Sequence, residues 1–221
     1  LSRMTATSTP PCAVNFTALL IRLSRICSRR SRSPPSAGGQ ALSIDSRSTV
    51  VYASLQDSDE LLAIDLATLA PRWKVKIGKV PADIFLTPDD RTLLVALTGD
   101  KVVEAYDVSV TPPKLIKRIP TGDGAHAFRA RGDKRHVFVS NRVANTISQI
   151  DYLNLTVTAE YPGPGGPDCM EMLSDGRTLL VSSRWARKLS FIDTETKKVT
   201  QQVDVGKSPH GVWTLDHAAR Q

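Results

Sequence analysis

The stretch Val137-Phe138-Val139-Ser140-Asn141, followed by Asn145-Thr146-Ile147-Ser148-Gln149-Ile150-Asp151, decides the fold. Its first half is a short run of β-favouring residues. Its second half alternates apolar and polar positions, as a half-buried strand does, and a polar loop joins the two. Working outward, Leu155–Tyr161 reads as a further strand. Pro162-Gly163-Pro164-Gly165-Gly166-Pro167 is too rich in breakers to be anything but a loop. Asp168–Leu173 is a fourth run, and Ser174-Asp175-Gly176-Arg177 a tight turn after it.

This unit recurs. Asp65, Asp107, Asp151 and Asp193 each close a strand-like run, at separations of 42, 44 and 42 residues. The runs that they close match one another: Leu62-Ala63-Ile64, Ala105-Tyr106, Ser148-Gln149-Ile150 and Ser190-Phe191-Ile192. A fixed period in this range, with four strands per repeat and no segment of helical period, predicts an all-β fold. The expected architecture is a β-propeller of four-stranded antiparallel blades, with four repeats in residues 49–221. In that register Val95, Val139 and Val181 are equivalent buried positions. The four aspartates are expected to serve structure, each carboxylate accepting backbone N–H bonds in the turn that follows it.

Composition fits this reading. Hydrophobic residues make up 41% of the chain but aromatics only 5%, so the core must come from Val, Leu, Ile and Ala. The net charge of +7 is concentrated near the start, where residues 1–48 hold seven arginines against the single acid Asp45. The repeats are therefore near neutral, and the charge gives no support for nucleic acid as a partner. Cys12, Cys27 and Cys169 form no C-x-x-C pair, which leaves thiolate zinc and covalently attached haem unsupported. No apolar run is long enough to span a membrane. Residues 1–48 are expected to be a disordered or non-native segment. Their apolar run is interrupted by Arg22 and Arg25 and followed by Arg29-Arg30-Ser31-Arg32, the wrong order for a standard export signal. A degenerate export-like or transit-like segment remains an alternative.

The Pro-Asp-Asp or Asp-Gly-Arg turns, the L-x-V-x strands and the Asn145–Asp151 run together resemble the YVTN-type, YncE-like β-propeller repeat over residues 49–217. More distantly, they resemble the propellers of d1-haem enzymes, quinoprotein dehydrogenases and lactonases. The resemblance implies a bacterial protein in a periplasmic or extracellular setting, and a ring usually of seven blades. Four repeats are then either a four-bladed ring or part of a seven-bladed one. With strands lettered A to D from the channel outward, the repeats start with a B strand at Thr49–Ser54. They end with a lone A strand at His210–Leu215, which can complete the first blade.

In such a fold the D–A and B–C connections surround one mouth of the channel. Aligned D–A positions are Ala82, His126, Asp168 and His210. Two histidines and a carboxylate there can hold a metal or a haem, or act as acid and base; equally, they can be solvated loop residues. The B–C connections add Asn141, Arg142 and Asn145, then Arg184, Trp185, Arg187 and Lys188. Arginine interleaved with Trp185 can hold an anion or stack a base, or the ring can simply pack on its neighbour. The first blade's equivalent loop, Asp57-Ser58-Asp59-Glu60, makes its side of the face acidic. No G-x-S-x-G elbow or phosphate-cradling glycine loop is present. The expected role is non-enzymatic binding of a small ligand or protein through the loop face. The alternatives are a propeller holding d1-type haem or a quinone, with His126 and His210 as ligands, and a lactonase-like hydrolase using Asp168 and His126 with a metal.

Overall fold

The computed structural model describes residues 39–220. Sixteen strands form four sheets of four, each a simple antiparallel meander in chain order. The first sheet holds β1 (Gly39–Ile44), β2 (Val50–Leu55), β3 (Glu60–Asp65) and β4 (Pro71–Lys76). The second holds β5 (Pro81–Leu86), β6 (Thr92–Leu97), β7 (Val102–Asp107) and β8 (Lys114–Pro120). The third holds β9 (Ala125–Ala130), β10 (His136–Asn141), β11 (Thr146–Asp151) and β12 (Thr156–Pro162). The fourth holds β13 (Pro167–Met172), β14 (Thr178–Ser183), β15 (Lys188–Asp193) and β16 (Lys198–Asp204). Among the described residues the only helix is a single 3-10 turn at Gln56–Ser58, and none is long and apolar enough to cross a membrane.

The repeat sets the register. Val50 pairs with Asp65, Thr92 with Asp107, His136 with Asp151 and Thr178 with Asp193, so the four aspartates occupy one position in every blade. Each accepts backbone N–H bonds from the turn after it: Asp65 from Ala67 and Thr68, Asp107 from Ser109, Asp151 from Leu153 and Asn154, Asp193 from Glu195 and Thr196. Arg72, Arg135 and Arg177 add ion pairs to three of them. Burial opposes the charge of Asp151, but bonds from Arg135, Asn154 and the backbone outweigh it and hold its pKa at about 2.

Second strands are buried almost throughout, and Val95, Val139 and Val181 are each fully buried, as the register requires. Apolar clusters join each blade to the next. Leu61 packs with Leu93 and Val95, Leu94 with Val137 and Val139, and Phe138 with Met172 and Val181. Outer strands are largely exposed and carry Lys74, Lys76, Lys114, Lys117 and Lys198, charges that discourage edge-to-edge pairing.

Two details differ from the sequence reading. The innermost strand of the first sheet is β1, which lies ahead of Thr49 and pairs with β2. His210–Leu215 forms no strand, and the first blade is completed by β1 rather than by chain exchange. The reason is local: an inner strand is held by a following second strand, and among the described residues none pairs with 206–220. The segment still follows the repeat. Ser182 Oγ donates to the His210 carbonyl at 2.5 Å, as Ser54 Oγ does to Ala82 at 2.6 Å. The inner strands pack in the order β1, β5, β9, β13, and among the described residues no comparable packing links β13 back to β1. The four blades thus form an open arc.

Candidate functional site

The D–A connections share one backbone bend. Val80, Gly124, Gly166 and Ser208 all take positive φ, at 53°, 77°, 73° and 53°. Glycine suits two of these positions because it lacks the Cβ that penalises this region. Two residues later come Ala82, His126, Asp168 and His210, which are therefore presented alike. The B–C connections lock onto the same bends. The backbone N–H groups of Thr98, Arg142 and Arg184 donate to the carbonyls of Val80, Gly124 and Gly166 at 3.0, 2.9 and 2.9 Å. Arg142 and Arg184 thereby stand over the inner-strand positions.

Asp168 is the centre. It is fully buried, and its two oxygens face different groups. Oδ2 accepts from Arg142 at 2.7 Å and from Arg184 at 3.2 Å. Oδ1 lies 3.2 Å from His126 Nε2, 3.9 Å from His210 Nε2 and 3.8 Å from Cys169 Sγ. Burial, the largest influence, works against the charge on Asp168. The bonds from His126 and Arg142, with the guanidinium charge, outweigh it and hold the carboxyl well below the usual carboxylate range. The two histidines differ: the side chain of His126 is 8% exposed and that of His210 is 54% exposed. One ligand atom from each of His126, Asp168 and His210 lies within 4.8 Å of the other two. A cavity of about 130 Å3 adjoins them, bounded by Ala41, Asp83, His126, Cys169 and His210.

Of the residues singled out from sequence, His126, Asp168, His210, Arg142 and Arg184 come together. Asn141 does not join them: it is buried and spends its amide on Thr146 and Ser148 of the neighbouring strand. Trp185 also stands apart, its half-exposed ring lying against Gly166. The acidic loop is largely neutralised, since Glu60 pairs with Lys74 and Lys76 and Asp59 accepts from the Val80 N–H.

Cys169, beside the site, is no ready nucleophile. Burial and then the Asp168 and Asp83 carboxylates push its thiol up to about 12. Asp83, whose pKa is raised by burial, accepts from the Phe128 N–H.

A second polar group escaped the sequence reading. Buried Arg129 and Glu171 form an ion pair, and Arg129 also donates to the Ala218 and Ala219 carbonyls. Arg220 pairs with the other Glu171 oxygen at 2.5 Å. The signal was an arginine and a glutamate in one repeat position, aligned with Phe85. Together these residues pin the C-terminal segment beside a cavity of about 300 Å3 that Phe85, Phe128 and Trp213 also line.

The YncE-like beta-propeller family matches residues 29–220. Among solved structures the chain is similar to Kuenenia stuttgartiensis hydrazine synthase, at 20% identity and a TM-score of 0.67, over 79% of this chain and 51% of that one. It is similar to the dihydro-heme d1 dehydrogenase NirN in complex with DHE, at 16% identity and a TM-score of 0.62, over 77% and 38%. A putative 6-phosphogluconolactonase from Bacteroides uniformis is also similar, at 16% identity and a TM-score of 0.64, over 77% and 56%. The chain thus spans roughly two fifths to just over half of these structures' lengths. No curated protein matches it.

Proposed function

Because the chain belongs to the YncE-like β-propeller family, we propose that it is a non-enzymatic, extracytoplasmic binding protein. It takes a small ligand or a protein segment on the face formed by the D–A and B–C connections. The observation that carries this reading is the convergence on Asp168 of side chains from two blades and the segment that follows them. Four of those side chains can donate hydrogen bonds, and two of them, Arg184 and His210, remain open to solvent. Fixed donors around an open mouth suit recognition. Among the described residues beside the mouth, neither candidate nucleophile is activated, which weighs against acyl transfer there. The Cys169 thiol holds its proton, and the Ser182 hydroxyl is engaged by the Cys169 and His210 carbonyls.

The test is a thermal-shift screen of the purified chain with small carboxylates, phosphates and acidic peptides, repeated on His210→Ala. A ligand whose stabilisation disappears in that variant supports the reading. Stabilisation by a ligand that is indifferent to His210, Arg142 and Arg184 would overturn it. Cell fractionation tests the compartment.

A second reading, a haem or quinone cofactor at the same mouth, draws on the half-exposed imidazole of His210, which a ligand could reach from solvent. His126 suits it less, because its Nε2 faces Asp168. The absorption spectrum of the purified protein decides between the two: a haem or quinone band establishes the cofactor and displaces the first reading.

A further inference from the structure

We infer that His126, Asp168 and His210 form a three-residue site for a late first-row divalent metal of the zinc type. This deepens the proposed function, since it rests on the same cluster being a binding site.

The argument is geometric. Zinc holds nitrogen and oxygen donors at about 2.0–2.2 Å and sulfur at about 2.3 Å in a tetrahedron, so neighbouring donors stand about 3.3–3.6 Å apart. Here Asp168 Oδ1 lies 3.2 Å from His126 Nε2 and 3.9 Å from His210 Nε2. Cys169 Sγ, 3.8 Å from that oxygen but 3.6 Å from the other His210 nitrogen, Nδ1, stands outside this cluster. One ligand atom from each of His126, Asp168 and His210 lies within 4.8 Å of the other two, so one ion reaches all three after a small shift. The adjustment falls on His210, whose half-exposed ring is free to turn one nitrogen inward.

Division of labour on Asp168 supports the assignment. Both guanidiniums take Oδ2, and every potential ligand faces Oδ1. A carboxylate oriented through one oxygen by hydrogen-bond donors and free to ligate through the other is the usual arrangement around a bound metal. The positive charge of Arg142 and Arg184 opposes a bare dication. The ion is therefore one that brings a second anionic ligand with it, a hydroxide or an anion from solution in the open fourth position of a three-residue site. A pair of imidazoles selects zinc, cobalt or copper over magnesium and calcium, which want all-oxygen shells. On binding, the metal takes the lone pair of one nitrogen on each imidazole, and the single ring proton of each sits on its other nitrogen.

The experiment uses the full chain, freed of metal by a chelator and titrated with Co2+ and then Zn2+. Co2+ should saturate at one equivalent, with visible bands of a four-coordinate site, and Zn2+ should displace it. His210→Ala should weaken binding at least tenfold, because loss even of groups one step removed from a metal costs roughly 10–100-fold. His217→Ala, at a histidine away from the cluster, should change nothing. Failure to saturate at one equivalent, or equal binding by His210→Ala, overturns the metal site. Should the metal fail while an organic ligand still depends on His210, the binding face survives and only its metal is lost. Should both fail, the face itself is refuted.

Discussion

Replacing Asp168 by Asn tests whether this carboxylate holds the mouth together. The side chain is fully buried and accepts from Arg142 at 2.7 Å, with Arg184 and His126 each at 3.2 Å. Breaking a buried ion pair costs about 3–5 kcal/mol, because the partner left behind is uncompensated. Here the partners are not sealed in: Arg142 and Arg184 keep 20% and 37% side-chain exposure, so water recovers part of the loss. Asn also preserves shape and one acceptor. The expected cost is therefore about 2–3 kcal/mol at pH 7, a fall of roughly 1 M in the urea midpoint. The sign of the pH dependence follows from the depressed pKa of Asp168. A carboxyl whose folded pKa lies below its unfolded value, about 3.9, contributes stability that is present above that value. That contribution is lost as the pH falls toward the folded pKa. The gap between parent and variant should thus be constant from pH 7 to about 5 and shrink below about 4. Urea titrations of both proteins with chelator present, at pH 7, 5 and 3, measure it. A midpoint at pH 7 equal to the parent's, or a gap unchanged at pH 3, would refute the reasoning.

Four further outcomes follow from the same contacts. Val139→Ala should cost about 1–2 kcal/mol by urea denaturation, from lost apolar area and a residual cavity at a fully buried site. Asp151→Asn should cost about 1–2 kcal/mol. The full shift to a pKa of about 2 corresponds to about 2.4 kcal/mol, less the screening allowed by the half-exposed Arg135, and the difference should close between pH 4 and 2. His210→Ala should leave the thermal midpoint unchanged, whereas His126→Ala, at a buried imidazole facing Asp168, should lower it by several degrees. Arg129→Ala should cost about 3–5 kcal/mol and expose 206–220 to limited proteolysis, since Arg129 both neutralises Glu171 and holds the Ala218 and Ala219 carbonyls.

What the sequence made legible is what every blade has in common. Asp65, Asp107, Asp151 and Asp193 agree because each turn has the same orphan N–H groups to satisfy, and that agreement placed all later strands in register. It could not place β1, since Gly39–Ile44 comes before the first repeated aspartate and carries none of the repeated turn residues. It also mistook His210–Leu215 for a strand, because the residues follow the repeat but pairing needs a partner strand that the pattern does not contain. The site obeys the opposite logic. A propeller brings one repeat position from every blade to the same mouth, so identical residues there would form a structural ring. Ala82, His126, Asp168 and His210 differ, and their differences are complementary: a small residue, two imidazoles and a carboxylate. Phe85, Arg129 and Glu171 differ in the same way three residues along, and there too the charged pair meets. Asn141 fell outside the cluster because its neighbours across the hairpin, Thr146 and Ser148, claim its amide, and a repeat alignment contains no information on cross-strand pairs. In this fold, then, agreement among repeats marks the scaffold, and complementary disagreement at an inward position marks where chemistry can be built.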